Sequence, residues 1–352
     1  MPDDNVKRLT PLAAPQAAAD TRGRPLSDLR ISVMDRCNFR CPYCMPRATF
    51  GDGYRFLAPA ERLGFDEIAR VARLFAGQGV RKLRLTGGEP LLRAGLADLV
   101  GELSAIDGIE DLALTTNGVL LAQHASELAA HGLDRVTVSL DTLDPGTFRR
   151  MSGGFDGLER VLDGIRAAAE AGLAPIKVNA VIQRGVNDGQ ALAMARHFRG
   201  SGIVLRFIEY MDVGNRNDWQ PALVVPSRDL KEAIDAVHPL VPVAGSYRGE
   251  VAKRYAYADG AGEIGFISSV TQPFCGDCTR ARLSSDGVFY TCLFATAGTD
   301  LRSPMRAGAS DAELGELVRG TWRGRNDRYS ELRQPPGGER ILRKIEMHYI
   351  GG

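Results

Sequence analysis

The chain has 352 residues, 44% of them hydrophobic and 25% charged, which is ordinary for a globular protein of one large or two smaller domains. Its 44 basic and 43 acidic residues leave a net charge of +1, which argues against a protein that acts mainly by binding nucleic acid. No apolar run reaches the roughly 18 residues of a membrane span and no signal-peptide core is present, so we expect a cytoplasmic protein that does not bind membranes.

The beginning of the chain has no periodic pattern. Residues 1–25 are rich in Ala, Pro, Asp and Arg, and we expect a disordered leader there. From Leu29 onward, short aliphatic or β-branched runs alternate with segments of helical periodicity, which predicts βαβ units and a parallel sheet. The predicted strands are 29–34, 80–86, 111–115, 135–140, 176–182 and 203–208. The predicted helices between them are 66–77, 96–106, 158–171 and 190–198.

Six such units without a dinucleotide-binding glycine fingerprint favour an α/β fold of the TIM-barrel type. We predict an incomplete parallel (β/α)6 barrel over residues 26–214, with polar motifs at the carboxyl ends of its strands. Residues 215–352 form a predicted β-rich extension with strands at 251–258, 262–267 and 287–293. Its predicted helices are 227–237, with Ser227 as N-cap, and 311–318, with Ser310 as N-cap.

The six cysteines form two triplets, which suits metal binding in a reducing compartment better than a disulfide framework. Cys37, Cys41 and Cys44 have C-x3-C-x2-C spacing directly after the first predicted strand. A [4Fe–4S] cluster takes four ligands, so three cysteines hold it and leave one iron free for another molecule. A zinc knuckle is the alternative, but a closed zinc site needs four ligands and is usually built from paired C-x2-C arms.

The second triplet, in the extension, is Cys275, Cys278 and Cys292. It predicts a second [4Fe–4S] cluster that again has one open iron. A cluster that only transfers electrons does not need an open iron, whereas a cluster that contacts a substrate atom directly does need one. The alternative is a structural zinc site that a His or an Asp completes.

Basic residues lie within several predicted strands, where a parallel barrel normally carries hydrophobic side chains. Arg30, Arg84 and Lys177 are such residues. Arg280 and Arg282 share one face of an extended segment beside the second triplet. A buried guanidinium needs a partner and its fork matches phosphate oxygens, so we expect a polyanionic ligand.

Two observations qualify this expectation. The basic side chains in the barrel strands could instead point outward between helices, or pair with a carboxylate such as Glu209. The sequence has no P-loop, so a nucleoside triphosphate would be bound by scattered cationic side chains.

The first triplet and the motif after the second predicted strand resemble the radical S-adenosylmethionine (SAM) superfamily. The matching motifs are Cys37-x3-Cys41-x-Tyr43-Cys44 and Gly87-Gly88-Glu89-Pro90, and the resemblance covers about residues 29–212. It implies that the free iron binds the amino and carboxylate groups of SAM. It also implies that an electron from the cluster cleaves SAM and releases a 5′-deoxyadenosyl radical.

The chain resembles, more narrowly, the GTP 3′,8-cyclase family of molybdenum-cofactor biosynthesis. The matching segments are 28–32, 35–46, 84–91, 114–118, 138–141, 177–179, 207–211, 275–283, 292 and the final 351–352. The resemblance implies a lyase that converts GTP to (8S)-3′,8-cyclo-7,8-dihydroguanosine 5′-triphosphate, the first step of the pathway. One small departure is Met34, where the family has a small residue such as Thr.

The same resemblance implies roles for individual residues. It implies two [4Fe–4S] clusters, one on Cys37, Cys41 and Cys44 with SAM, and one on Cys275, Cys278 and Cys292 with the substrate. The implied SAM contacts are Tyr43, Gly88, Ser139 and Met211. The implied GTP contacts are Arg30, Arg84, Thr115, Lys177, Arg280, Ala281 and Arg282. The implied catalytic residues are Arg280, Arg282, Gly351 and Gly352, of which the two glycines reach into the active site.

The resemblance further implies a low-potential electron donor and a downstream cyclic pyranopterin monophosphate synthase as partners, and it leaves a homodimer open. Two other functions stay open as well. A radical SAM enzyme that modifies peptides is one, although such enzymes typically have more C-terminal cysteines. A zinc-stabilised binding protein is the other, and it predicts a colourless protein instead of a brown one with about eight irons.

Overall fold

The computed structural model of the protein describes residues 18–333 and 343–352. Twelve strands in this part of the chain form one sheet, in the order β12-β11-β10-β1-β2-β3-β4-β5-β6-β9-β8-β7. The first six are β1 Asp28–Ser32, β2 Lys82–Thr86, β3 Asp111–Thr116, β4 Arg135–Ser139, β5 Lys177–Ile182 and β6 Val204–Glu209. The others are β7 Leu240–Val243, β8 Lys253–Tyr257, β9 Glu263–Ile267, β10 Arg280–Leu283, β11 Val288–Tyr290 and β12 Thr299–Asp300.

Strands β1 to β6 pair in parallel with their neighbours in sequence, which confirms the predicted (β/α)6 arrangement. All six lie within two residues of their predicted bounds. The two outer strands of this set, β1 and β6, pair with β10 and β9 and not with each other. The barrel is therefore incomplete, as predicted.

The extension continues this sheet on both sides. Strand β10 is parallel to β1 and β9 is parallel to β6, so eight parallel strands are contiguous. Strands β11, β12, β8 and β7 are then added in antiparallel pairs. The predicted extension strands are confirmed as β8, β9 and β11, each shorter than predicted, and β11 spans only Val288–Tyr290. Because the two predicted domains share one sheet, a boundary at residues 214 and 215 stays a prediction.

Ten α-helices lie within the described residues: α1 Phe65–Ala76, α2 Leu96–Ser104, α3 Leu121–Ala130, α4 Pro145–Met151, α5 Leu158–Glu170, α6 Ala191–Phe198, α7 Ser227–Asp235, α8 Arg302–Arg306, α9 Asp311–Arg323 and α10 Met347–Ile350. The four predicted barrel helices correspond to α1, α2, α5 and α6. Helices α3 and α4 were not predicted. Helix α3 begins without a capping side chain, whereas Asp144 caps α4 by accepting a 2.7 Å hydrogen bond from the amide of Thr147.

The predicted caps in the extension differ in outcome. Ser310 caps α9 by accepting a 3.3 Å hydrogen bond from the amide of Glu313, as predicted. Ser227 is not the N-cap of α7, because it is itself the first helical residue and Pro226 occupies the N-cap position. The amide of Ser227 donates instead to Oε1 of Glu209, 2.8 Å away.

The predicted leader is partly folded. Residues 1–17 lie outside the described residues, so disorder there stays a prediction. For residues 18–25 the expectation of disorder is wrong, because Ala18 is bonded to the main chain of Gln78 and Leu26, at 3.0 and 2.9 Å. Arg24 is fully buried in the same segment. Local composition missed this because the partners lie far along the chain.

The hydrophobic core lies mainly on one face of the sheet, opposite the face that carries Arg30 and Arg84. Rings of Phe75 in α1 and Phe289 in β11 meet edge to face with centroids 5.0 Å apart, so the extension packs against a barrel helix. Trp322 of α9 is fully buried and its indole donates to the carbonyl of Arg24. Among the described residues, no helix is both long and apolar enough to span a bilayer.

Candidate active site

The first cysteine triplet lies in the loop after β1 and contacts the glycine motif after β2. The amide of Gly88 donates a 2.6 Å hydrogen bond to the carbonyl of Met34, and the amide of Glu89 donates one of 2.8 Å to the carbonyl of Arg36. A Cβ on Gly88 would lie only 2.2 Å from the carbonyl oxygen of Arg36, so a glycine is required there. The two loops are therefore built as one unit.

Glu89 joins this unit to the loop after β3. Its buried carboxylate accepts hydrogen bonds from the hydroxyl of Thr116 at 2.7 Å and from the amide of Asn117 at 2.8 Å. The side-chain amide of Asn117 in turn donates to Asn38 at 2.7 Å and to the sulfur of Cys37 at 3.8 Å. Burial raises the pKa of Glu89 to about 7, although these hydrogen bonds act in the opposite direction.

Tyr43 joins the cysteine loop to the end of β4. Its hydroxyl donates a 2.7 Å hydrogen bond to Asp141, whose other carboxylate oxygen accepts from the amide of Val181 at 2.8 Å. Burial raises the pKa of Asp141 to about 6, against both hydrogen bonds. One cavity of about 320 Å³ is lined by all four predicted SAM contacts, Tyr43, Gly88, Ser139 and Met211.

The first triplet has the donor chemistry of a cluster site. Its three thiols are free, and the sulfur of Cys37 accepts a 3.3 Å hydrogen bond from the amide of Phe39. Burial, and then the charge of Glu89, raises the pKa of Cys37 to about 12, so the thiolate forms only when a metal replaces the proton. Within residues 18–333 and 343–352, no three His, Cys, Asp or Glu side chains are placed around a single ion. The thiolates of a four-iron cluster, in contrast, each bind a different iron.

Eight arginines line the same cavity, and we call five of them the arginine cluster: Arg30, Arg84, Arg206, Arg280 and Arg282. The strand register places Arg30 beside Arg84 on one neighbouring strand and beside Arg282 on the other. Arg280 donates to the sulfur of Cys278, and the hydrogen bonds of the other four arginines that we find go to uncharged groups. Arg84, for example, donates to the hydroxyls of Thr115 at 3.0 Å and Thr137 at 3.1 Å.

The charges of this cluster destabilise one another. Burial, followed by repulsion from neighbouring arginines, lowers the pKa of Arg84 to about 10 and that of Arg206 and Arg282 to about 9. The same causes lower the pKa of Arg30 well below its usual value. A bound anion would relieve this repulsion, so the cavity is suited to a polyanionic ligand.

Glu209 does not neutralise these arginines, so that alternative is wrong. Its carboxylate accepts 2.8 Å hydrogen bonds from the amides of Ser227, Val270 and Thr271, and it also accepts the Thr271 hydroxyl. Glu209 therefore stabilises the junction between β6 and the extension.

The second triplet lines the cavity together with Arg280 and Arg282. The sulfur of Cys292 accepts a 3.4 Å hydrogen bond from the amide of Phe294. Burial alone would raise the pKa of Cys278, but the charges of Arg280 and Arg325 outweigh it and lower that pKa to about 6. Free sulfurs in a positive, buried environment are the ligands that an iron–sulfur cluster needs, so the residues fit such a group.

The C-terminal residues lie at this cavity. Arg282 donates to the carbonyl of Gly351, and Gly352 lines the cavity wall. A Cβ on Gly351 would lie 2.2 Å from Cγ2 of Thr86, so the tail approaches β2 too closely for any larger residue. His348 of α10 is also buried in the wall, with its ring against Phe50 at a centroid distance of 4.7 Å.

Most of the predicted site residues are thus brought together by the fold. Those that do not line the cavity are Cys37, Cys41, Lys177, Ala281 and Gly351. Lys177 lies on the same face of β5 as Asn179. Burial, and then the charge of Arg206, lowers the pKa of Lys177 to about 7. Ala281 is fully buried on the opposite face of β10 from the neighbouring arginines, so its contact with GTP stays a prediction.

Other residues of the site were not predicted. Arg206 interrupts the aliphatic run of β6 in the way that Arg30 interrupts β1, so the sequence did contain the signal. Arg24 and Asp212 were missed as well. Their roles depend on partners more than 100 residues away in sequence, which no local pattern reveals.

The parallel sheet, the cysteine loop on its first strand and the adjoining glycine motif define a radical SAM protein. In agreement, residues 31–198 match the Radical SAM superfamily and residues 203–331 match the family described as Molybdenum Cofactor Synthesis C. The chain is 54% identical to a GTP 3′,8-cyclase of Xanthomonas axonopodis pv. citri, over 95% of this chain and 98% of that protein. It is 48% identical to a GTP 3′,8-cyclase of Staphylococcus aureus strain Mu3, again over 95% and 98%. The chain belongs to the GTP 3′,8-cyclase family.

One solved structure that is similar to this chain is the crystal structure of a methylornithine synthase. The TM-score is 0.42, and the identity is 17% over 53% of this chain and 54% of that one.

Proposed function

We propose that this protein is a radical SAM GTP 3′,8-cyclase, which converts GTP to (8S)-3′,8-cyclo-7,8-dihydroguanosine 5′-triphosphate in molybdenum-cofactor biosynthesis. The observation that supports this substrate most directly is the arginine cluster, which lines one cavity with the second cysteine triplet and the SAM-site residues. Guanidinium forks match phosphate oxygens, and a triphosphate carries enough charge to relieve the repulsion between five arginines.

In this proposal the first triplet holds a [4Fe–4S] cluster and SAM contacts Tyr43, Gly88, Ser139 and Met211. When bound, the cluster and SAM would supply a 5′-deoxyadenosyl radical that takes hydrogen from C3′ of GTP, so that C3′ can bond to C8 of the guanine. One further electron, from the reductant, and a proton at N7 would then complete the 7,8-dihydro ring. The chain orients this ligand. The 2.7 Å hydrogen bond to Asp141 fixes the ring of Tyr43, and Gly88 leaves room for close approach of the ligand to the backbone.

The second triplet holds a second [4Fe–4S] cluster, which contacts the guanine base. The triphosphate contacts the arginine cluster together with Thr115 and Lys177, and Ala281 contributes through its backbone. Holding both ligands in one cavity makes the hydrogen transfer and the cyclisation effectively unimolecular. Arg282 holds the terminal Gly351–Gly352 against this site, and the buried walls keep other hydrogen donors away from the reacting atoms.

The partners follow from this chemistry. The reaction needs a low-potential electron donor, and its product is the substrate of a cyclic pyranopterin monophosphate synthase. The six free cysteines agree with a reducing compartment, for which we propose the cytoplasm. Light scattering would establish whether the protein is a monomer or a homodimer.

The decisive experiment is anaerobic reconstitution followed by product analysis. Incubation with SAM, reductant and GTP should yield 5′-deoxyadenosine and a product with the mass of GTP, and the wild type should contain about eight irons. Replacement of Cys275, Cys278 and Cys292 by Ser should halve the iron content and abolish cyclisation. A colourless protein with stoichiometric zinc, or SAM cleavage that depends on a peptide and not on GTP, would contradict the proposal.

A further inference from the structure

The short segment before β1 forms part of the wall behind the second cysteine triplet. Asp20 closes a turn by accepting 2.9 Å hydrogen bonds from the amides of Arg22 and Arg24. Ala19 and Pro25 face each other across this turn in an antiparallel bridge. The turn is anchored to the extension, because the hydroxyl of Thr21 donates to the carbonyl of Arg325 at 2.7 Å.

The guanidinium of Arg24 is held rigidly at the end of this turn. Its Nε lies 2.6 Å from the carboxylate of Asp20, and both side chains are fully buried. Its Nη1 donates to the carbonyl oxygen of Cys275 at 2.7 Å and to that of Asp327 at 2.8 Å. One nitrogen of Arg24 therefore directly supports the backbone of a cysteine of the second triplet.

The remaining nitrogen, Nη2, is buried and has no hydrogen-bond partner in residues 18–333 and 343–352. Arg24 lines the same cavity as Cys275, Cys278 and Arg280. A buried N–H group without an acceptor is unfavourable, so such groups in native proteins normally face a ligand or an ordered water. The other contacts of the guanidinium prevent it from turning away.

The surroundings indicate what kind of ligand this is. Asp20 accepts from Arg24 and lies 3.6 Å from Arg325, which donates to the carbonyl of Cys278 at 2.7 Å. The buried charge of Asp20 is thus shared by two arginines, both of which line the cavity. Arg24 lines the cavity, and Nη2 is the nitrogen of its guanidinium without a partner among the described residues, so an anionic group with acceptor atoms is its natural partner.

We propose that Nη2 of Arg24 donates a hydrogen bond to the iron–sulfur cluster of the second triplet, so that Arg24 is a cluster-binding residue. This inference rests on the proposed function, because it needs a cluster on Cys275, Cys278 and Cys292. A cationic donor to the sulfurs of a cluster stabilises its more negative, reduced form and raises its reduction potential. Arg24 therefore sets the potential of the second cluster, in addition to its support of Cys275.

The test uses full-length protein in which Cys37, Cys41 and Cys44 are replaced by Ser, so that only the second cluster remains. The potential of that cluster is titrated by electron paramagnetic resonance, without GTP, in this background and with Arg24→Gln. We expect the ratio of reduced to oxidised cluster at a fixed potential to fall about tenfold, which for a one-electron couple is ~59 mV. Arg24→Lys should shift the reduction potential by an intermediate amount. Its ammonium keeps the positive charge but cannot replace both Nη1 and Nη2 as donors.

Arg22→Gln is the matched control. It removes the same charge two residues away from an exposed side chain, and its cluster should titrate like the background. If Arg24→Gln alone loses iron because Asp20 is left unpaired, Asp20→Asn/Arg24→Gln removes both charges and is measured in its place.

Several outcomes would overturn the assignment. An unchanged potential in Arg24→Gln with weaker GTP binding would show that Nη2 meets the nucleotide and not the cluster. An equal shift in Arg22→Gln would show a general charge effect. A background protein without iron would overturn the two-cluster proposal itself, whereas an unchanged potential overturns only the role of Arg24.

Discussion

The ammonium nitrogen of Lys344 lies 2.9 Å from Oδ2 of Asp212, and both side chains are almost fully buried. Nε of Arg333 lies 2.9 Å from the other carboxylate oxygen of Asp212. The hydroxyl of Tyr329 also donates to this carboxylate, at 2.5 Å. One carboxylate, directly after Met211 in the loop that follows β6, therefore holds the C-terminal tail that ends at the active-site cavity.

We expect Asp212→Asn to loosen the tail. Removing one member of a buried ion pair typically costs about 3 kcal/mol, so amide exchange in residues 343–350 should accelerate about a hundredfold. GTP cyclisation should fall with it, while iron content stays at the wild-type value. Hydrogen exchange read by mass spectrometry checks this. Asp163→Asn, which removes an exposed carboxylate paired with Arg166, is the control, and equal exchange in both variants would refute the prediction.

Gly88→Ala should disrupt the first cluster by a steric effect alone. The new Cβ would lie 2.2 Å from the carbonyl oxygen of Arg36, so the cysteine loop must move. We expect the variant to lose most of the first cluster, about half of the iron, and to lose SAM cleavage. Gly189→Ala is the control, because a Cβ there has no neighbour within 4 Å. A Gly88→Ala protein with full iron content would contradict the contact.

The affinity for GTP should fall as the pH rises above neutrality. Lys177 has its pKa lowered to about 7, so it is largely uncharged at pH 8, and a bound anion would restore its proton. Between pH 7.5 and 9, where the triphosphate charge is constant, the dissociation constant should rise, by at most tenfold per pH unit. Calorimetry in two buffers should detect proton uptake at pH 8. Lys177→Met should bind weakly without uptake, whereas the control Lys231→Met should behave like the wild type.

The lowered pKa of Lys177 also makes the free energy of unfolding depend on pH. The pKa of Lys177 is depressed in the folded state, so between pH 7 and about 10.5 the unfolded chain binds more protons than the folded one. The contribution of Lys177 therefore makes the protein more stable as the pH rises through that window. Lys177→Met should remove this contribution, and a constant difference between the two proteins would contradict it.

Glu89→Gln should destabilise the protein by about 1–3 kcal/mol at pH 4.5, where Glu89 is protonated, because the side-chain nitrogen of Gln cannot accept a hydrogen bond as both oxygens of the carboxyl group do. The pKa of Glu89 is raised to about 7 in the folded state, so its favourable contribution is present below pH 4.5 and is lost as the pH rises through 7. The stability gap between wild type and variant should therefore narrow from pH 4.5 to pH 7.5. Urea unfolding at both pH values measures it. Glu316→Gln, at an exposed site, should show no such change.

The local pattern of the sequence was sufficient for nine of the twelve strands, all but β7, β10 and β12, and for most barrel helices. Strand bounds follow from aliphatic and β-branched runs, and the proposed cluster ligands were inferred from cysteine spacing, so both depend on residues that are close in the chain. The sequence also showed a basic residue in the middle of an apolar strand at Arg30 and at Arg84. Arg206 has the same position within β6, although it was not among the predicted site residues.

The partners of the buried charges depended on tertiary structure. Arg24 meets the backbone of Cys275, Asp212 meets Lys344, and Gly351 lies against Thr86. Such pairs are set by strand order and register, which bring residues that are 130 to 265 positions apart to one cavity wall. The sequence shows only that a charged residue is present. Whether its charge stabilises or destabilises the fold depends on burial, which removes its water, and on the neighbour that takes the place of that water. The proposed chemistry of the cysteines could therefore be inferred from their spacing. The buried charges and hydrogen bonds that surround the cysteines could be identified only from the tertiary structure.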